Sequence, residues 1–252
     1  MIDEELAHIG DIDLHQAEIS EVELNERLLL ETQRIGKFTC SEFHKLMTYE
    51  NKIDEFPKGA ETVVIEKVSE ILTDSCNFSD SWTNDAMQWG KDHELEAVER
   101  FTKETGIKVA KIGIGQEFIE YQGDSDDILN GNAGGTPDGE IDDKRGLEVK
   151  CPDSKTHLNY IIGFKPIMGK EEVIKPTLKE VEKRYYWQVQ GYMLLTGKSE
   201  WQFVSYDPRF TDKTKQIVIS KVERNETDIQ RLIVRLRMAV RRKNELLKEL
   251  GL

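Results

Sequence analysis

Asp138, Glu148 and Lys150 are the residues of this 252-residue chain whose types and spacing best fit a chemical reaction. Asp138 lies in the run Gly135-Thr136-Pro137-Asp138-Gly139, and ten residues after it comes Glu148-Val149-Lys150-Cys151-Pro152. Leu147 to Cys151 reads as a short buried strand. Side chains alternate faces along a strand, so Glu148 and Lys150 point one way while Leu147, Val149 and Cys151 point into the core. The turn-rich Asp142-Asp143-Lys144-Arg145-Gly146 can fold the strand from Asp138 to Ile141 back as a hairpin, which sets Asp138 beside Glu148. Two carboxylates that close raise each other's pKa, so the pair needs a cation between them or a proton on one of them. Magnesium, with manganese as a substitute, is the expected occupant. It takes oxygen ligands, keeps several waters, and would be held by Asp138, Glu148 and the carbonyl of Val149. Lys150 would then orient the bound water or neutralise charge at phosphorus, and the chemistry is metal-assisted phosphodiester hydrolysis. The plain alternative is a hairpin with a surface salt bridge between Glu148 and Lys150.

The elements that position these groups follow from periodicity. From Thr83 to Thr105 the spacing predicts a helix with Gly90, Glu94, Ala97, Val98 and Phe101 on one stripe and Gly106 as its stop. Glu94 therefore sits on an apolar face, where a carboxylate must be hydrogen-bonded, paired or on a metal. His93 lies off that stripe, toward the rim. A second helix, Leu178 to Thr196, puts Val181, Tyr185, Gln188 and Tyr192 on one face. Gln188 can position a water or a phosphate there, or be a satisfied amide in a tyrosine-lined core. Strands are expected near Trp201 to Tyr206 and Gln216 to Val222, and a basic amphipathic helix spans Arg231 to Lys243. Its cations either face DNA or form the solvated side of a core helix.

The Asp138, Glu148, Lys150 spacing resembles the PD-(D/E)xK nuclease superfamily and, within it, the lambda exonuclease or YqaJ-type viral recombinase family. Four further blocks agree in order. Arg34-Ile35-Gly36-Lys37-Phe38-Thr39-Cys40-Ser41-Glu42 is similar to the family's R-x-G-x-x-T-A-S segment, whose Arg and Ser bind a terminal 5′-phosphate. Trp89-Gly90-Lys91-Asp92-His93-Glu94 is similar to W-G-K-x-x-E, which adds an active-site glutamate. Tyr185-Tyr186-Trp187-Gln188-Val189-Gln190 resembles the Y-x-x-Q-V-Q helix, and Ser205-Tyr206-Asp207-Pro208-Arg209 the Y-D-P-R strand end. Cys40 stands in place of the commoner Ala and Leu30 where a Trp is usual, so the wall of the 5′-end pocket is expected to differ. The stretch from Lys165 to Glu182 looks longer than in lambda exonuclease, and Glu140 matches no family carboxylate. The resemblance implies an α/β fold with a PD-(D/E)xK nuclease-like core, a central mixed β-sheet flanked by helices. It implies a magnesium-dependent exonuclease that degrades one strand of linear double-stranded DNA in the 5′-to-3′ direction and leaves 3′ tails for recombination. Catalytic roles fall on Asp138, Glu148, Lys150, Glu94 and Gln188, and DNA contacts on Arg34, Ser41, Tyr185 and Tyr192. A ring-shaped homo-oligomer of three or four subunits and a single-strand annealing protein as partner are implied as well. An endonuclease of the same superfamily and a non-catalytic scaffold that binds DNA ends are the alternatives. Arg34 and Ser41 speak against the first and the intact Asp138, Glu148 and Lys150 against the second.

Charge sits awkwardly with DNA, since the net charge is -13 and a phosphate-gripping surface should be basic. Residues 1–31 carry ten acidic side chains and one basic, so -9 of that total lies in an acidic N-terminal arm and -4 remains for residues 32–252. These remaining residues are expected to form a single nuclease domain. In the arm, Ser20-Glu21-Val22-Glu23 has the form of a capping box from which a helix could lead to Arg34. No apolar run reaches membrane-spanning length and the acidic start is unlike a signal peptide, so a cytoplasmic location in a bacterial or phage-infected cell is expected. The odd, scattered Cys40, Cys76 and Cys151 fit reduced thiols rather than a disulfide framework or a four-cysteine metal site.

Overall fold

A computed structural model describes residues 25, 28–76, 85–168 and 173–252. The acidic arm's capping box at Ser20 lies outside the described residues. A helix at 28–34, α1, leads into strand β1 (Phe38–Thr39), a 3-10 turn at Cys40–Glu42 and helix α2 (Phe43–Leu46). Helices α3 (Lys58–Thr73) and α4 (Asp85–Thr105) follow, then β2 (Ile119–Glu120), β3 (Ala133–Gly135), β4 (Gly139–Glu140) and β5 (Arg145–Lys150). Beyond them lie α5 (Ser154–Gly163), a hairpin of β6 (Ile167–Met168) and β7 (Val173–Ile174), α6 (Leu178–Val181), α7 (Lys183–Thr196), β8 (Glu200–Tyr206), β9 (Ile217–Glu223) and α8 (Glu226–Glu249).

The main sheet is mixed, in the order β4-β5-β8-β9, with β5 and β8 parallel and the outer pairs antiparallel. A parallel neighbour needs a crossover, and the helices α5, α6 and α7 supply it. The strand residues explain why this sheet is covered on both sides. Leu147 and Val149 of β5 and Cys151 just beyond it, with Val204 and Tyr206 of β8, pack against Ala97, Val98 and Phe101 of α4. Trp201 and Phe203 face the larger core with Tyr160 of α5 and Trp187 and Tyr192 of α7. Glu148 lies opposite Phe203 and Lys150 opposite Ser205, so Glu148 and Lys150 share that second face.

The central mixed sheet is as expected, and β1, β3 and β2 make a separate three-stranded sheet. Two expectations change. The stretch 178–196 is two helices, because Glu182 adopts φ -150° and ψ 90° and its carboxylate accepts from the Arg184 backbone N–H as a new N-cap. The stretch before it, 165–182, contributes the β6–β7 hairpin and a capping box of Thr177 with Glu180. Two cations of the C-terminal basic helix are spent inside the molecule, and the others stay on its outer side. Arg235 is fully buried and its guanidinium donates to the carbonyls of Tyr49, Lys52 and Glu55, while Lys243 reaches the Gly36 carbonyl and Asn132 at 2.6 Å each. Arg231, Arg237 and Arg242 pair with Asp228, Asp127 and Glu61. Burying the stripe Ile229, Leu232, Leu236, Ala239 and Val240 against the core carries Arg235 and Lys243 inward with it. All three cysteines are free and buried, and among the described residues no helix is long and apolar enough to cross a membrane.

Candidate active site

The hairpin forms in the expected register, Gly139 opposite Leu147 and Glu140 opposite Gly146. Its turn is set by Asp142, whose Oδ1 accepts from the backbone N–H groups of Lys144 and Arg145. Gly146 must be glycine because any Cβ there would run into the Trp201 ring. One step beyond the last hairpin pair, Asp138 Oδ2 accepts from the Val149 backbone N–H at 2.8 Å. That bond fixes the Asp138 carboxylate against β5. Lys150 Nζ stands 3.6 Å from the same Asp138 oxygen and 2.5 Å from Glu148 Oε1. Glu148 is fully buried, and apart from this ion pair neither of its oxygens has a hydrogen-bond partner. The salt bridge foreseen between Glu148 and Lys150 is present, but in the interior rather than on the surface.

The electrostatics follow from burial. Removal from water, then the charge of Asp138, pushes the Glu148 carboxyl up to about 8. Glu94, presented by α4, is pushed up to about 7 by burial and then Asp138. Burial alone would lower Lys150, but Asp138 and Glu148 outweigh it and hold the ammonium form beyond the ordinary lysine range. Cys151, its neighbour, is driven up to about 12 by burial and then Glu94, so it is no thiolate nucleophile at neutral pH. Sequence reasoning missed Gln116, which donates to Glu94 Oε1 at 2.7 Å and reaches the Asp138 carbonyl at 3.4 Å. It lies in a loop with no periodicity to mark it.

A cavity of about 630 Å³ opens over these groups. Glu94, Val149, Lys150, Tyr185, Gln188 and Ser41 all line it, so most of the residues singled out by sequence meet at one place. Two do not. Tyr192 is 3% exposed; its hydroxyl receives Gln188 Nε2 at 3.0 Å and donates to the Thr136 carbonyl at 2.8 Å, so it braces the approach to Asp138 and has no surface to offer DNA. Arg34 is absent from the lining and donates to Thr136 Oγ1 at 3.0 Å. Cys40, expected to alter a pocket wall, is fully buried against Gly135 and Gly191 instead. The cations that do line the cavity are Lys45, Lys91, Lys150 and Arg184, with His44 beside them. At the rim, Arg209 pairs with Asp207 and lies over Trp89, whose indole also stacks on His93 at 3.7 Å.

Among the described residues no three His, Cys, Asp or Glu side chains stand at the spacing of a preformed metal cage. The donor set nevertheless suits a hard divalent cation. It consists of oxygens, two of its carboxyls resist ionisation, and one is buried with no hydrogen bond.

The fold and the hairpin together define the class. A mixed sheet with an aspartate entering from an antiparallel edge and Glu-x-Lys on the adjoining strand, covered by helices, is a PD-(D/E)xK-type core. Within that class the chain belongs to the YqaJ-like viral recombinase domain family, whose model matches residues 30–199. It is similar to an alkaline exonuclease from Laribacter hongkongensis, at 26% identity and TM-score 0.67, covering 86% of this chain and 93% of that one. The same enzyme in complex with dAMP gives 26% identity and TM-score 0.68 over 87% and 93% of the two chains. A phage-related exonuclease from Haemophilus somnus shares the fold at 19% identity and TM-score 0.61, over 85% and 96%. No curated protein sequence matches the chain.

Proposed function

We propose that the chain is a deoxyribonuclease that removes one strand of linear double-stranded DNA in the 5′-to-3′ direction, leaving 3′ tails for recombination. The observation that carries this reading is the convergence of Asp138 and Glu148 on Lys150, which lines the cavity together with Glu94. Asp138, Glu148 and the Val149 carbonyl would hold magnesium, or manganese in its place. When bound, such an ion lowers the pKa of a water and neutralises charge on a phosphate oxygen. The chain's own residues do the rest. Lys150 keeps its proton and supplies positive charge to the developing phosphorane. Glu94, with its raised pKa, can hold or release a proton near neutral pH, and Gln116 fixes its orientation. Gln188 faces the cavity from α7 and orients a water or phosphate oxygen, while Tyr185 forms part of the wall against which the strand lies.

The end-recognition part of the reading rests on the family resemblance and on Ser41 at the cavity wall, with Arg34 acting through its hydrogen bond to Thr136. A homo-oligomeric ring of three or four subunits, cytoplasmic location and delivery of the 3′ strand to an annealing protein belong to the same reading. The paired cations of α8 favour oligomerisation as the source of durable DNA grip, since one acidic subunit offers few free ones.

A linear duplex labelled at either end, with a 5′-phosphate or 5′-hydroxyl, tests this against a covalently closed circle. Magnesium should support stepwise loss of the 5′ label from linear DNA alone, and calcium should support binding with little cleavage. Cutting of the circle would favour the endonuclease reading. Binding without cleavage in magnesium and manganese would favour the scaffold.

A further inference from the structure

The reading above gives no role to Arg184, one of the cations that line the cavity. Arg184 is exposed, and its guanidinium carbon lies 4.3 Å from the centroid of the Tyr185 ring while Nη2 donates to the Tyr185 hydroxyl at 2.7 Å. Several other arginines are paired with carboxylates: Arg209 with Asp207, Arg237 with Asp127, Arg242 with Glu61. Among the described residues Arg184 has no carboxylate within 4.0 Å. The acidic group nearest in sequence, Glu182, accepts from the Arg184 backbone N–H at 3.2 Å and does not reach its side chain. The guanidinium is therefore held by an aromatic ring and a hydroxyl, which leave its charge unneutralised and donors free. Holding an arginine in this way costs side-chain entropy in advance of any ligand.

Tyr185 also connects this group to the reacting centre. Lys150 Nζ lies 5.4 Å from the centroid of the same ring, and the ring stacks on Phe203 at 5.4 Å. One aromatic thus carries an unpaired arginine and the site lysine. Ser41, His44, Lys45 and Lys91 line the same cavity. Burial chiefly, and then the charges of Arg184 and Lys45, hold His44 below its ordinary pKa, so positive potential extends along this wall. Lys45 is partly compensated by Glu66 at 3.6 Å. Arg184 remains the most available planar donor.

We propose that Arg184, braced on Tyr185, binds a phosphate of the DNA strand other than the one cleaved and so sets the strand's position over Lys150. The proposal rests on the deoxyribonuclease reading for its ligand. The phosphate is either the terminal 5′-monophosphate or an internal phosphodiester, which share the same recognition chemistry.

The test is fluorescence anisotropy of the full chain with a labelled duplex, in EDTA so that nothing is cut, carried out across a salt series. Both 5′-phosphorylated and 5′-hydroxyl duplexes are used. Arg184→Ala should weaken binding about tenfold and flatten the slope of log affinity against log salt by about 0.7–0.9, the signature of one lost phosphate contact. Lys183→Ala removes the same charge one residue away, from a side chain paired with Glu50, and should bind within twofold of the parent. Tyr185→Leu should weaken binding as Arg184→Ala does, and the double variant should be no weaker than either single one, because both act through one brace. A loss confined to the 5′-phosphorylated duplex identifies the terminal phosphate; an equal loss on both identifies an internal one. Unchanged affinity and slope in Arg184→Ala, or an equal loss in Lys183→Ala, overturns the proposal. The parent reading fails separately, if the wild-type chain binds duplex and cuts no DNA with magnesium or manganese.

Discussion

Gln116 donates its side-chain amide to Glu94 Oε1 at 2.7 Å and so joins helix α4 to the loop beside the Asp138 strand. A hydrogen bond to a carboxylate is worth about 1.5–3 kcal/mol, and each 1.4 kcal/mol in a barrier is about tenfold in rate. Gln116→Leu should therefore lower kcat for duplex digestion by about tenfold or more while KM stays within about twofold. Steady-state kinetics give both numbers. Equal loss in kcat and gain in KM would place Gln116 in substrate binding instead.

Stability should depend on pH in a direction opposite to that of most carboxylates. Glu148 and Glu94 titrate at about 8 and about 7 when folded, above their unfolded value of 4.5. Between those limits the native state binds more protons than the unfolded one, so stability falls as pH rises from about 5 to 8 and then levels off. Lys150 is protonated in both states across that window and does not alter the sign. Thermal melts in EDTA should show this decline, and Glu148→Gln should reduce its slope. A melting temperature that climbs from pH 5 to 8 in the wild type would refute the account of Glu148.

Lys150 and Glu148 should be strongly coupled. Removing one member of a buried ion pair typically costs about 3–5 kcal/mol because the other charge is left alone, whereas neutralising both costs far less. Lys150→Met should destabilise the metal-free protein markedly at pH 8, and adding Glu148→Gln should restore much of the loss. Denaturant titrations of the double-mutant cycle measure the coupling. Activity should vanish in all three, so rescue of stability without activity separates the structural from the chemical role.

Gly135 is held by close approach rather than by backbone conformation. A Cβ there would sit 2.8 Å from Cys40 Sγ and 2.9 Å from Tyr192 Cε1. Gly135→Ala should cost about 1–3 kcal/mol, as overpacked cores do. It should also reduce activity, because it displaces the ring whose hydroxyl holds the Thr136 carbonyl two residues before Asp138. Loss of stability with full activity in the remaining folded protein would show that this brace is dispensable.

The chemical heart of the site was legible because its information is local. Alternation placed Glu148 and Lys150 on one face, turn residues closed the hairpin, and a 3.6-residue period put Glu94 on the buried side of α4. What escaped depends on partners distant in sequence. Arg235 looked like a candidate for DNA, yet it caps carbonyls of a loop about 180 residues away, and nothing in its own segment announces that. Tyr192 shares its helical face with Gln188, but depth along that face is set by Thr136 and Trp201, which come from other elements. Arg184 and Gln116 belong to no apolar stripe, so periodicity passed over both. The break at Glu182 was hidden because residues on either side keep helical character and only the cap separates them.

The long reach of α8 bears on the cavity wall. Lys243 closes on the Gly36 carbonyl, 207 residues earlier, and Arg235 on the carbonyls at 49–55. The segment carrying Ser41 and His44 lies between those two anchor points. Without α8 the segment that carries Ser41 and His44 loses both anchors, so the shape of the cavity wall depends on the helix most distant from it in sequence.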